Sequence, residues 1–439
     1  MISLFALCTT LNTPHVSAEP LARETVLSNG LKLIVAERNH LPTINLQVLL
    51  RAGSLGDPSE KNGLAALTAE LLPQGSTQKD ATQINKIIDS VGGSFSATAG
   101  SDYSVLNLAV LKKDLPLGLS ILSEVLLDPA FTPAEISRKK SEFAARLKRV
   151  EEDPRQVARL AFSRKLFGPH PYAFPSEGTA ESLSVLSRED IQGFFTTYYR
   201  PNNATVILVG QISLEEAVPL LEEVLKNWKP APIPAPVLTR PPRISRPVIE
   251  KIDRPISQAN IIWGHLGIAR SNPDFYALQV MNYSFGGGGF VSRLLDQIRD
   301  NLGLTYGISS SFDARREAGA FSITIETKNQ NTNRTLEEID RELKKLLENG
   351  LTENEIEEAK AYLTGSFPLR MDSNAKLLNL LGSIDLYNLG LDFPDQYLRL
   401  INQVTASEIL RVAKKYLDPD NFLLVVVGNQ KEIGLKESW

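Results

Sequence analysis

Two segments of the chain, one in each half of its 439 residues, repeat one another and restrict the folds that the chain can adopt. Residues 186–210 align without gaps with residues 404–428. Each copy predicts a helix, a turn that contains proline, and a buried strand that ends at glycine. The identical pairs are Ile191/Ile409, Tyr198/Tyr416, Pro201/Pro419, Asn203/Asn421, Val209/Val427 and Gly210/Gly428.

A second pair of segments repeats at nearly the same offset. Residues 121–136 align with residues 341–356, and both contain a capping-box pattern, Thr132 with Glu135 and Thr352 with Glu355. In such a box the threonine accepts from the third helical N–H and the glutamate reaches back to the cap. Two matches at similar offsets indicate a duplicated domain.

A proline-rich stretch separates the two copies. Residues 229–247, KPAPIPAPVLTRPPRISRP, favour extended chain and cannot lie inside a packed helix. The chain is also too long for one ordinary core. We therefore expect an N-terminal domain over residues 19–228, a linker over 229–247 and a C-terminal domain over 248–439.

The elements within the first half alternate between strand and helix patterns. Asn29-Gly30 is a hairpin-type turn, and strands are expected at 31–35, 44–50, 94–99 and 103–110. Residues 82–91 place Ile84, Ile87, Ile88 and Val91 on one helical face before Gly92. This mixture predicts an α+β fold in which each half is a mostly antiparallel sheet with helices packed on one face.

Composition excludes several classes of function. The net charge of −4 does not indicate binding to nucleic acid. The single cysteine, Cys8, provides no disulfide, thiolate zinc site or cysteine nucleophile downstream, and the four histidines are far apart in sequence. No stretch is apolar enough to span a membrane. Residues 1–18 end in Val-Ser-Ala and predict a signal peptide, hence a periplasmic or secreted protein; a cytoplasmic location is the alternative.

Four segments, taken in order, resemble one peptidase family. They are LSNGLKLIVAERNHLPTINLQVLLRAGS, GLAALTAELLPQGS, INKIIDSVGGSFSATAGSDYSVLNLAVL and GGGGFVSRLLDQIRDNLGLTYGISSSF. Together they resemble the pitrilysin and mitochondrial processing peptidase family, the inverted zinc peptidases, over about residues 20–430. The resemblance implies two duplicated domains that close like half-shells.

The family's metal helix carries the motif H-x-x-E-H, in which two histidines bind zinc and the glutamate is the general base. Aligned on Gly63 and Gly75, these positions hold Ala66, Ala69 and Glu70, and the expected third ligand falls on Ala145 or Arg146. The chain is therefore expected to bind no metal. A displaced site is the alternative, built from Glu70 together with Glu151 or Glu152 and with His40 or His170. Residues 62–76 are otherwise a core helix that packs through Leu64, Leu67, Leu71 and Leu72.

The second half retains the family's other signature. Gly286, Gly287, Gly288 and Gly289 permit close approach and unusual backbone dihedrals, and we expect them to bind substrate. A helix is expected over 290–301, with Leu294, Leu295 and Ile298 facing inward. The resemblance implies that Arg299 orients the substrate and that Tyr306 donates to the developing oxyanion in a partner's zinc site. The structural alternatives are a cation at a helix C-terminus and a half-buried strand aromatic.

These observations lead to one expected function and two alternatives. The expected function is a non-catalytic subunit of a two-chain zinc peptidase, which binds peptide or unfolded-protein substrate and has no cofactor of its own. Zinc is then supplied by a family partner that contains H-x-x-E-H. One alternative is a scaffold or peptide-binding member with no role in proteolysis. The other is an active peptidase with an unrecognised metal site.

Overall fold

The computed structural model describes residues 20–436, and residues 1–19 and 437–439 lie outside the described part of the chain. The predicted signal peptide, residues 1–18, and Cys8 fall in the first of these outside segments. Between residues 20 and 436, no helix has the length and apolar character needed to cross a membrane. Residues 229–247, the predicted linker, contain neither helix nor strand.

The first half forms six strands and eight α-helices within the described residues, close to the positions that the sequence pattern predicted. Its strands are β1 (Arg23–Val26), β2 (Lys32–Glu37), β3 (Thr43–Leu50), β4 (Ser94–Ala99), β5 (Ser104–Leu111) and β6 (Ala204–Gly210). Its helices are α1 (Leu64–Leu71), α2 (Ala81–Ser90), α3 (Leu115–Leu127), α4 (Pro133–Glu152), α5 (Pro154–Phe167), α6 (Ala180–Val185), α7 (Arg188–Tyr198) and α8 (Leu214–Val224).

The second half repeats this sequence of elements without a counterpart of β1. Its strands are β7 (Val248–Asp253), β8 (Gln258–Leu266), β9 (Thr305–Phe312), β10 (Ala320–Lys328) and β11 (Leu423–Gly428). Its helices are α9 (Phe275–Asn282), α10 (Arg293–Leu295), α11 (Thr332–Asn349), α12 (Glu353–Gly365), α13 (Asn374–Leu386), α14 (Phe393–Gln403), α15 (Ala406–Tyr416) and α16 (Gln430–Ile433).

The two sheets have the same strand order, which supports the duplication. The first sheet runs β1-β2-β6-β3-β5-β4 and the second runs β7-β11-β8-β10-β9. Each contains one parallel pair, β2 with β6 and β7 with β11, and all other neighbours are antiparallel. The predicted α+β class with two duplicated, mostly antiparallel sheets is confirmed.

Helix starts in the repeated segments follow the predicted capping chemistry, with one difference. Thr352 and Glu355 form a complete capping box at α12. At α4, Thr132 accepts from the Glu135 N–H, but the Glu135 carboxylate instead accepts from Arg138. The capping box of α4 is therefore only half formed, because the Arg138 guanidinium competes for the Glu135 carboxylate with a charge-assisted hydrogen bond.

The helices of each half pack on one face of their own sheet, as predicted. In β3 the alternate residues Ile44, Leu46, Val48 and Leu50 enter one apolar core together with helices of the first half. The opposite face of each sheet is covered in part by a helix from the other half, which the sequence pattern did not indicate. Helix α13 packs on β3 and β6, and helix α5 packs on β8 and β11. The two halves therefore exchange equivalent helices.

A buried carboxylate fastens one of these exchanged helices. Asp385 of α13 has a side chain that is 1% exposed. It accepts from Lys32 at 3.1 Å, from Arg51 at 2.8 Å and from the Thr205 hydroxyl at 2.7 Å, all three in the first half. These contacts give the carboxylate the partners that a buried charge requires.

Candidate functional site

Helix α1 is the element on which the family's metal motif falls, and it is firmly held at its start. Gly63 has φ of 96° and precedes the helix, where a Cβ would meet the Glu177 carbonyl oxygen at 2.5 Å. The Asp57 carboxylate accepts from the backbone N–H groups of Gly63 and Ala65, both at 2.9 Å. Burial raises the pKa of Asp57 to about 8, although these hydrogen bonds act in the opposite direction.

The predicted packing of this helix is confirmed. Two alanines and an ion-paired glutamate occupy the positions of the metal motif. Leu64, Leu67, Leu71 and Leu72 are buried, as are Ala66 and Ala69. Glu70 accepts from the guanidinium of Arg146 at 2.9 and 3.0 Å, and the ammonium of Lys139 lies 3.5 Å away. Arg146 also lies over the Phe143 ring at 4.2 Å. Glu70 at the second ligand position and Arg146 at the expected third position thus form an ion pair.

These residues do not fit a zinc ion. Alanine side chains have no lone pair to donate, and the one carboxylate present faces two cations, which would repel a metal. Across residues 20–436, no cluster of three or more His, Cys, Asp or Glu side chains could hold a metal ion.

The displaced metal site considered from the sequence is wrong. His170 is buried, and its Nδ1 accepts from the Tyr172 N–H at 3.1 Å, so that lone pair is not available to a metal. Glu151 and Glu152 are exposed at the end of α4.

The glycine-rich segment of the second half is more irregular than predicted. Residues 283–287 form a π-helical turn, residues 289–291 a 3₁₀ turn, and α10 continues into a second π-helical turn over 296–301. The continuous helix predicted from residue 290 is therefore wrong at its start, because Ser292 adopts an extended conformation. Leu294, Leu295 and Ile298 face inward as predicted.

The four glycines predicted to bind substrate have different surroundings. Gly286 is buried, and a Cβ there would lie 2.5 Å from the Ser310 hydroxyl. At Gly287 a Cβ would crowd Asn282, and at Gly288 it would crowd Tyr283. Gly289 has φ of 61° with open space around it. Close packing accounts for the first three, and their role toward a substrate stays a prediction.

Arg299 and Tyr306, which the sequence singled out, line one cavity of about 330 Å³. The Arg299 side chain is 34% exposed, lies 3.8 Å from Asp300 and stacks over the Phe290 ring at 5.1 Å. Tyr306 is 78% exposed. Both side chains are therefore accessible from solvent on the same surface.

A β-bulge directs Tyr306 outward. Glu326 of β10 pairs with Gly307 and Thr327 pairs with Thr305, so Tyr306 has no partner across the ladder. The buried Thr305 hydroxyl accepts from the Gly307 N–H at 3.1 Å and donates to the Glu326 carbonyl at 2.5 Å. Bulges commonly re-aim a side chain beside a functional site. The sequence pattern did not reveal this bulge.

A larger cavity of about 1030 Å³ also has Tyr306 in its wall. Its floor is a polar face of β9 and β10, and its other wall is α5 from the first half, with Arg155 and Arg159. Arg155 pairs with Glu326 across the opening. The alternation in YGISSSF and FSITIETK is the signal that could have predicted the polar floor, which consists of Gly307, Ser309, Ser311, Ser322, Thr324 and Glu326.

Comparison with known proteins identifies the family. The profile described as Insulinase (Peptidase family M16) matches residues 33–180. The profile described as Peptidase M16 inactive domain matches residues 186–363. Together the two profiles cover most of the chain.

Individual relatives match along nearly the whole chain. An uncharacterized zinc protease of Streptomyces coelicolor is 26% identical over 400 residues, 90% of this chain and 87% of its own. The non-peptidase homolog YmxG of Helicobacter pylori is 26% identical over 91% of this chain and 92% of its own. A crystal structure described as a peptidase M16 inactive domain from Pseudomonas fluorescens is 29% identical with a TM-score of 0.86, covering 93% of this chain and 98% of that one.

The resemblance inferred from the sequence is thus confirmed. The first of the two duplicated domains carries Ala66, Ala69 and Glu70 at the metal positions, and the comparisons support an inactive, peptidase-like homologue. The chain belongs to the insulinase family, peptidase family M16.

Proposed function

We propose that this chain is the non-catalytic subunit of a two-chain zinc-dependent peptidase. A partner of the same family that retains H-x-x-E-H would supply the zinc ion and the general base. This chain would close the chamber and present Arg299 and Tyr306 to the partner's site. The observation that carries the proposal is the contrast between a metal helix neutralised by its own ion pair and an accessible Arg299–Tyr306 pair.

The first half supports this division of labour. Glu70 is held by Arg146 and Lys139, so its negative charge is satisfied within the chain. A partly buried carboxylate with two cationic neighbours gains nothing from binding a metal and would lose these contacts if it did. The first half is therefore suited to maintaining the fold of its relatives without their metal chemistry.

The second half supports a role toward a substrate. A phenol that is 78% exposed beside a guanidinium can donate to an oxygen that gains negative charge, while the guanidinium orients a carbonyl. Losing one such positioned donor costs about 3–4 kcal/mol in other enzymes. A scaffold alone does not require both groups on one open cavity.

The shape of the neighbouring surface supports peptides as the substrate class. Strand β9 is an edge strand, and the cavity beside it has a floor of small polar side chains. An exposed edge can pair with an extended peptide, whose main chain supplies the hydrogen bonds. We therefore propose peptides or unfolded protein segments as the substrates. The periplasmic or secreted location predicted from residues 1–18 is part of the same proposal.

The proposal is tested by reconstitution with a partner that contains H-x-x-E-H. The chain alone is expected to retain no stoichiometric zinc and to cleave no peptide. The mixture is expected to cleave peptides in a chelator-sensitive way. Tyr306→Phe should lower turnover about 10²-fold or more while the complex still assembles, because one oxyanion donor is lost.

Tyr362→Phe is the matched control, since Tyr362 is also exposed but lies on α12 outside these cavities. It should leave turnover unchanged. Chelator-sensitive cleavage by the chain alone would overturn the proposal. Full turnover with Tyr306→Phe in an assembled complex would instead favour the second candidate, a scaffold or peptide-binding role with no part in proteolysis.

A further inference from the structure

A third cavity, of about 770 Å³, lies within the second half and is separate from the one that Arg299 and Tyr306 share. It is open to solvent and is lined by α9, the end of β9, α13, α14 and the turn that follows α12. Its wall is largely apolar and aromatic, with Leu278, Phe312, Leu380 and Phe393 among the lining residues. A few polar groups in an otherwise apolar cavity of this size are typical of a ligand site.

Arg270 contributes a positive charge to this cavity that no carboxylate neutralises. Its guanidinium lies over the Phe275 ring at 3.7 Å and within 5.7 Å of the Tyr276 and Phe393 ring centroids. The side chain is half-buried, and within residues 20–436 it has no ion pair or side-chain hydrogen bond. The aromatic rings hold the guanidinium in place and leave its N–H donors free.

Arg370, whose side chain is exposed, adds a second cation to the lining of this cavity. Its guanidinium lies 5.4 Å from the Phe367 ring and 5.6 Å from the Tyr397 ring. Among the described residues it too lacks an ion pair. The other charged side chains of the lining are already matched, since Asp313 accepts from Arg315 and Lys376 pairs with Asp372. The two arginines thus leave the cavity with an excess of positive charge.

Two buried polar atoms in the same wall also lack partners. The Tyr397 side chain is 1% exposed, and its hydroxyl has no hydrogen-bond partner in the structure. The Oε1 atom of Gln279 is likewise buried and without a donor. Burial is the main reason that the pKa of Tyr397 is raised, while the nearby charges of Arg370 and Arg270 act to lower it. Unpaired buried polar groups cost free energy until a ligand satisfies them.

We infer that this cavity binds the C-terminal end of a peptide whose last side chain is apolar. The carboxylate would accept from Arg270, Arg370 and the Tyr397 hydroxyl. The last peptide N–H would donate to Gln279 Oε1, and the apolar side chain would lie against Leu278 and Leu380. A carboxylate accepts from both guanidinium groups and from the phenol in charge-assisted hydrogen bonds, which are stronger than those that a neutral carbonyl accepts.

This inference rests on the peptide-binding part of the proposed function and does not depend on a partner or on catalysis. Its test therefore uses the full chain alone. Fluorescence anisotropy would measure binding of a fluorescein-labelled peptide, Gly-Ser-Ala-Ala-Leu, with either a free carboxylate or a C-terminal amide. The free acid should bind at least about tenfold more tightly than the amide, because charge-assisted hydrogen bonds are lost in the amide.

Tyr397→Phe separates ligand binding from a structural role. The ring stays in place and only the unpaired hydroxyl is lost, so thermal stability should be unchanged or slightly higher. Affinity for the free-acid peptide should fall roughly tenfold, and Arg270→Gln should weaken it at least as much. Arg399→Gln on the same helix, an exposed arginine outside the cavity, is the control and should leave affinity unchanged.

Each result distinguishes the inference from its alternatives. Equal binding of the acid and the amide would overturn it, as would unchanged affinity in both cavity variants. Competition by N-acetyl-leucine would show that one terminal residue is sufficient for recognition. If the peptide did not bind as expected but the peptidase complex still depended on Tyr306, this cavity would be rejected as a peptide site and the proposed function would be unaffected.

Discussion

At the residue scale, the position that would bind metal in an active relative carries an ion pair instead. Glu70 and Arg146 are 76 positions apart in sequence, and the fold brings the Arg146 Nη2 atom to 2.9 and 3.0 Å from the two carboxylate oxygens. The sequence predicted the loss of the ligands from the identities of Ala66, Ala69 and Glu70. It did not predict that Arg146 would neutralise Glu70, because the alignment placed the third ligand position at either Ala145 or Arg146.

A double-mutant cycle tests this ion pair. Glu70→Gln and Arg146→Gln should each destabilise the protein, and their coupling free energy should be about 1 kcal/mol, at the upper end for accessible pairs. Urea unfolding of the four proteins measures it. Asp340 and Lys344, an exposed pair on α11, serve as the control and should couple by only about 0.3–0.5 kcal/mol. A Glu70–Arg146 coupling no larger than the control would show that the pair does not stabilise the helix.

At the scale of elements, local patterns predicted the strands and helices well but not their irregularities. The period of Ile84, Ile87, Ile88 and Val91 predicted α2 to within one residue, because an amphipathic period is a local property. The bulge at Tyr306 depends instead on the register between β9 and β10, which long-range pairing decides. The extended conformation of Ser292, which interrupts the predicted helix, was also not predicted from the sequence.

The hydroxyl of Thr305 should hold the bulge in place. Thr305→Val keeps the shape of the side chain and removes the hydrogen bonds to Gly307 and Glu326, so the free energy of unfolding should fall by about 1–3 kcal/mol. Chemical denaturation would measure the change. Thr324→Val on the exposed face of β10 is the comparison, and it should change stability by less than about 0.5 kcal/mol. Equal effects of the two substitutions would contradict a special role for Thr305.

At the scale of the whole molecule, the exchange of α5 and α13 joins the two halves. Each helix covers part of the other half's sheet, and Asp385 fastens α13 to Lys32, Arg51 and Thr205. The duplication was visible in the aligned segments, but the exchange was not. The apolar period of a helix predicts which of its faces is buried, but it does not predict on which sheet that face packs.

Asp385→Asn should therefore weaken the whole fold. It leaves two cations without their buried partner, and the expected loss is about 3 kcal/mol in the free energy of unfolding. Thermal and urea unfolding would measure this loss. Asp372→Asn, which removes an exposed partner of Lys376 at the start of α13, should cost less than about 1 kcal/mol. Similar small losses in both variants would show that the buried cluster contributes little to joining the halves.

The sequence by itself determined most of the elements, their duplication and the replacement of the metal motif by Ala66, Ala69 and Glu70. These depend on periodicity, on repeated segments and on which side chains carry lone pairs, all of which can be read along the chain. Only the tertiary structure decided that Arg146 pairs with Glu70 and that Tyr306 points outward beside Arg299. It also decided that α5 and α13 each pack on the sheet of the other half. Each of these rests on contacts between residues distant in sequence, whose geometry is settled only when the sheets and helices pack together.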